Sequence, residues 1–275
     1  MLEKFKYINH MGEVLEFGGG SLFANENELR DYEWEVLSVG DKISGFKRGI
    51  VNKSIPVIIK CDTAEKGIEM RNKLFEIAEK DILANKAGKF VINDYYLRGF
   101  VAGSTKSEYL YNKQYMKCNL LVQTDATGWI KETVYPFRLT KAAEGEKHLD
   151  FPYDMPFDYG NSLAIRTLNN PAFVAADFRL IIYGNALNPS IYVGDNVYSV
   201  DVEINSGEYL TIDSKSKTIV LTKIDGQKVN CYNRRNREKY IFTKIPTGNS
   251  IVTSPNDGIA FDLVVLEERS EPKWI

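Results

Sequence analysis

Few residues in this chain have the type and spacing that chemistry needs. The two histidines, His10 and His148, lie far apart with no H-x-x-x-H spacing, which argues against a metal pair or a nucleophile–imidazole arrangement. Ser214 and Lys217 fit S-x-x-K, the spacing by which a lysine can activate a serine, but they fall in a polar turn between Ile212 and Ile219 and read as a hairpin loop. Asp150, Asp154 and Asp158 offer the paired acids of glycoside hydrolysis, which must face each other across a sugar. Alternating with proline and aromatic residues, they read instead as turn and edge residues. Gly18-Gly19-Gly20-Ser21 lacks the Gly-Lys-Ser/Thr ending of a phosphate loop, so nucleotide binding is rejected.

The 3 cysteines, Cys61, Cys118 and Cys231, form no C-x-x-C pair and read as reduced core thiols. No catalytic, cofactor or metal residues are expected, and the chain is not expected to be an enzyme. Two features remain as contact candidates. Arg234, Arg235 and Arg237 lie between Tyr232 and Tyr240, where guanidinium groups can grip an acidic partner or an anionic glycan. Trp274, near the chain's end, is expected to anchor that end by packing.

Composition sets the frame in which such residues are held. A chain of 275 residues with 44% hydrophobic and 26% charged residues suits two folded domains. The formal net charge of -2 lacks the basic excess that sequence readout of nucleic acid calls for. The 16 Tyr and 14 Phe favour pleated, half-buried surfaces. No signal peptide or membrane segment is expected, and a soluble protein made in the cytoplasm follows.

Along the chain, Lys4 to Phe17 reads as a hairpin turning at Met11-Gly12-Glu13, Tyr32 to Val39 as a strand, and Ser54 to Cys61 as a buried strand. One helix is predicted from Asp62, with Glu65 at capping-box spacing, to about Ala84. Its stripe of Met70, Leu74, Ile77 and Ala78, with Phe75 and Ile82 beside it, should pack on a sheet. Lys89 to Thr124 reads as long ribbons with a hairpin tip near Asn112. Tyr95, Leu97, Phe100, Tyr109, Tyr111 and Tyr115 are its candidate contacts to other copies. The Pro-aromatic-Asp pattern of Asp150 to Gly160 marks a junction, giving domains at 1-137 and 161-275 around 138-160. Eight short strands from Phe173 to Glu267, among them Tyr240 to Ile245, are expected to form a β-sandwich.

Several of these segments, taken in order, resemble one family. Ala176 to Gly184 (Ala-Asp-Phe-Arg-Leu-Ile-Ile-Tyr-Gly), Asn188-Pro189-Ser190-Ile191, Gly207 to Asp213, Ile245-Pro246-Thr247-Gly248 and Glu271-Pro272-Lys273-Trp274 are similar to the distal tail proteins of siphophages. The resemblance implies a mainly β chain: an N-terminal sheet domain with one packed helix and a long β-hairpin belt, followed by a galectin-like or jelly-roll sandwich. It also implies a hexameric ring at the tip of a phage or prophage tail. The partners implied are the tail tube protein, the tail-associated lysin or fibre protein, and a receptor-binding protein. Tyr95 to Val122 is the candidate belt. A galectin-type His-x-Asn-x-Arg strand is absent from the sequence, and a carbohydrate-binding module of the bacterial surface is the alternative function.

Overall fold

The computed structural model describes residues 4–24, 26–110, 112–138, 166–256 and 258–274. The predicted junction, with His148, Asp150, Asp154 and Asp158, lies outside them, as does Tyr111. The chain is mainly β and divides into two compact units. Unit 1 holds residues 1–131 and 268–275; unit 2 holds residues 132–267. The first boundary thus falls earlier than the sequence suggests, and the last eight residues belong with unit 1.

In unit 1, strands β1 (Phe5–Ile8) and β2 (Val14–Phe17) form the opening hairpin, with Phe5 opposite Phe17. Gly12, at φ +84, supplies the left-handed backbone of its turn. β3 (Leu22–Phe23) leads to β4 (Glu35–Val39) and β5 (Lys42–Lys47), and β6 (Val51–Lys60) follows. After the helix α1 (Ala64–Ala84) come β7 (Gly88–Ile92), β8 (Tyr95–Ser107), β9 (Tyr115–Thr124) and β10 (Trp129–Arg138), the last of which continues into unit 2 from Glu132. The strand order β10-β8-β7-β1-β2 makes one part of the sheet, while β8 also pairs β9, β9 pairs β6, and β6 pairs β3.

The helix is where predicted, but Thr63 caps it, not Asp62. Thr63 is extended and its side chain accepts from the Lys66 amide, whereas the Asp62 carbonyl is taken by Gln114 Nε2. Leu74, Ile77 and Ala78 are buried, each contributing roughly 1–3 kcal/mol by area removed from water. Leu74 and Ile77 join Phe5, Tyr7, Phe90, Leu97, Leu120 and Trp129 among others in one core. Ile82, beside the stripe, stays 43% exposed.

The predicted belt is corrected. β9 lies between β6 and β8, with ten residues in register against β6, so its backbone edges are both occupied. Met116, Cys118, Leu120 and Val122 are buried: the alternation that suggested a ribbon is a core pattern. The loop at Asn112 is held to the helix by Arg71 Nη2, which donates to the carbonyls of Asn112 and Tyr115 at 2.7 Å each. The free-standing hairpin is instead β4–β5, a two-stranded sheet of its own. Its second strand was missed in the sequence.

Unit 2 is a β-sandwich. Its strands are β11 (Arg166–Asn170), β12 (Asp177–Tyr183), β13 (Ala186–Leu187), β14 (Ser190–Val193), β15 (Asn196–Ser199) and β16 (Glu203–Ile204). They continue with β17 (Tyr209–Asp213), β18 (Thr218–Thr222), β19 (Lys228–Asn230), β20 (Gly248–Thr253) and β21 (Ala260–Arg269). One sheet runs β19-β18-β17-β12-β21 and the other β11-β20-β14-β15. Leu180, Ile212 and Leu263 of the first share a core with Leu168, Ile191, Tyr198 and Val252 of the second, the interdigitation expected of stacked sheets. Tyr240 to Ile245 is not a strand. It is an irregular segment, bridged only at Ile245 to Ala176, that drops Ile241, Phe242 and Ile245 into the core.

Candidate functional site

Polar side chains with reactive potential are used structurally. Asp81 is fully buried; its Oδ2 accepts from the Tyr7 hydroxyl at 2.5 Å, and its Oδ1 from the His10 backbone N–H at 2.8 Å. The His10 Nδ1 lies 2.5 Å from the same Oδ1. Burial, then the hydrogen bond to Asp81, pushes the Tyr7 phenol far above its ordinary value. This cluster ties the opening hairpin to the helix.

Ser214 and Lys217 do not meet as a catalytic pair. Ser214 is buried, its Oγ accepting from the Phe178 amide and donating to Asp177, both at 2.8 Å. Lys217 Nζ donates to the Tyr240 hydroxyl at 2.7 Å. Gly18 to Ser21 forms a turn closed by the Gly18 amide on the Leu22 carbonyl. Burial pushes the Cys118 thiol up to about 11, which makes it a poor nucleophile at neutral pH. Among the described residues, no group of three or more His, Cys, Asp or Glu is placed to hold a metal ion.

The expected contact residues are scattered. Tyr95 and Leu97 are 3% and 2% exposed, inside the core of unit 1, and are withdrawn as contacts to another copy. Phe100 and Tyr115 are half-buried, and Tyr109 is 43% exposed. Trp274 is 71% exposed, so the expected packing is not seen; it meets the Arg30 guanidinium, 3.9 Å from its ring centroid, and Arg30 Nη1 donates to the Pro272 carbonyl at 2.7 Å.

Among the described residues, the β4–β5 arm is a surface without a covering partner. Gly40, at φ +59, allows the two-residue connection between its strands. Glu35 and Lys47 face each other in register and form an ion pair at 3.0 Å. Among the described residues no layer covers either face, and Val36, Val39, Ile43 and Phe46 stay 55%, 75%, 65% and 59% exposed. Ile50, just beyond, is 77% exposed. At the root, Arg48 sits 4.2 Å from the Trp34 ring centroid and donates through Nη1 to the Thr127 carbonyl at 2.5 Å. An isolated two-stranded hairpin is marginal in water, and a contiguous exposed apolar surface of this kind marks an interaction site. The signal available in the sequence was the pair of short apolar runs on either side of Gly40-Asp41.

No protein-family model matches the sequence, and no curated protein is similar to it. Solved structures are similar in fold. SPP1 Dit, described as a paradigm of the hub adsorption apparatus of phages that infect Gram-positive bacteria, has a TM-score of 0.54 at 10% identity, over 96% of this chain and 99% of that one. The phage P2 baseplate in its activated conformation gives TM-scores of 0.62 with calcium and 0.63 with strontium, at 11% identity over 99% of this chain and all of the matched chain. Across nearly its whole length, then, this chain has the fold of SPP1 Dit and of a phage P2 baseplate chain.

Proposed function

We propose that this protein is a structural hub of a phage or prophage tail tip. In this reading, six copies close into a ring that joins the tail tube to the tail-associated lysin or fibre protein and the receptor-binding apparatus. The fold of phage hub and baseplate chains supports it, and fold alone does not assign function. The observation that carries it is the β4–β5 arm, whose large apolar side chains stay exposed with no cover among the described residues. A ring needs heterologous contacts, one surface of each copy fitting a different surface of the next. A protruding apolar arm is suited to that role, and it replaces the β8–β9 ribbon as the self-contact. The work of such a protein is done by surfaces, with no reaction to catalyse.

Native mass measurement across protein concentration, joined to electron-microscopy averages of the purified protein and of tails, tests the proposal. Closed rings of six copies are expected at high concentration or in tails. A particle that stays monomeric at every concentration and is missing from tail tips overturns it.

A further inference from the structure

On unit 2, the segment after β19 turns through a short 3-10 helix at Tyr232–Arg234 and then exposes a run of cations. Its backbone is fixed. The amides of Tyr232, Arg234, Asn236 and Glu238 donate to Asn230 Oδ1, the Cys231 carbonyl, the Ser199 carbonyl and Asn236 Oδ1, so side chains, not backbone edges, face outward. The Arg235 guanidinium lies 4.0 Å from the Tyr232 ring centroid and donates through Nη1 to the Tyr232 carbonyl at 2.7 Å. Lys217 sits 5.2 Å from the Tyr240 ring centroid. Both rings pack on Phe242, at 6.0 and 5.8 Å between centroids. The result is a chain of contacts from cation through three rings to cation.

Among the described residues, Arg234, Arg235, Arg237 and Lys217 have no carboxylate within ion-pair distance. Three arginines within four positions gather positive charge on one stretch of backbone. Such a surface is complementary to anions. Guanidinium forks suit phosphate and carboxylate groups, and Tyr240, 58% exposed, offers an apolar ring beside them. A strand-like peptide would use backbone edges, and the amides of Tyr232, Arg234, Asn236 and Glu238 are already taken. A long nucleic acid needs a basic field and open rings for its bases, whereas this chain has a formal net charge of -2 and Tyr232 is stacked on one side by Arg235.

We propose that this surface binds an anionic polysaccharide, the arginines and Lys217 taking its phosphate or carboxylate groups and Tyr240 lying against a sugar ring. The inference does not depend on the hub reading, since a single copy carries all of the residues.

Calorimetric titration of the full-length protein at low salt tests it, with phosphomannan and polygalacturonate as the phosphate and carboxylate probes. Dextran, poly-L-glutamate and a single-stranded oligothymidylate serve as controls. Saturable binding of at least one anionic glycan, weakening as salt rises, is expected, with none to dextran. R234A/R237A, both at exposed positions, should weaken that binding tenfold or more, and Y240A several-fold, with unchanged thermal midpoints. The proposal is overturned if neither glycan saturates, if poly-L-glutamate or the oligonucleotide binds as tightly as the better glycan, or if R234A/R237A binds as the parent does.

Discussion

The Tyr7 hydroxyl and the Asp81 carboxylate meet at 2.5 Å across 74 residues of chain, joining the first strand to the last turns of the helix. Neither side chain reaches water: both are 0% exposed. Replacing Tyr7 by Phe leaves Asp81 Oδ2 buried without that donor, a loss of about 1–3 kcal/mol. In a double-mutant cycle with D81A, the two changes should be clearly non-additive in urea unfolding. Additive effects would mean the contact carries no energy.

Gly67 gives a prediction opposite in sign to helix propensity. An exposed helical Gly→Ala change stabilises by about 1 kcal/mol, but a methyl here would overlap the Lys113 carbonyl that ends the β8–β9 loop. G67A should therefore destabilise by about 1–3 kcal/mol, because backbone must shift to admit it. A variant that melts at or above the parent temperature would show that the loop yields freely.

Val36 and Phe46 are cross-strand partners in the arm. With both exposed, V36S/F46S should change the stability of the isolated chain by no more than about 0.5 kcal/mol per site. Self-association should be lost in the same samples. Light scattering beside thermal unfolding separates the two; unaltered assembly would remove the arm from the contact.

Acid should weaken unit 2 through Asp177. Burial alone would raise this carboxyl, yet the hydrogen bonds from Lys244 and Ser214 outweigh it and hold the group below its ordinary value. A depressed folded value contributes stability above the unfolded value of about 3.9, and that stability is lost as pH falls through the folded value. The parent should thus exceed K244M in stability near neutrality, with the gap closing below about pH 4. Lys244 is half exposed, so the gap should stay within about 1 kcal/mol. A gap independent of pH would assign the effect to packing.

Sequence by itself determined the features set by neighbours along the chain. The helix was written in the spacing of Leu74, Ile77 and Ala78, the opening hairpin in Gly12, and the strand-rich second half in its turn residues, because local periodicity and turn chemistry are short-range. It also marked Arg234, Arg235 and Arg237 as a charge cluster. Tertiary structure decided which apolar residues are covered. Leu97 and Phe46 both read as strand residues; one is enclosed because β8 has neighbouring strands and a helix over it, and the other is exposed because β5 pairs only with β4. Burial depends on what folds over a strand from elsewhere in the chain. That long-range fact moved the candidate contact surface from the β8–β9 ribbon to the arm.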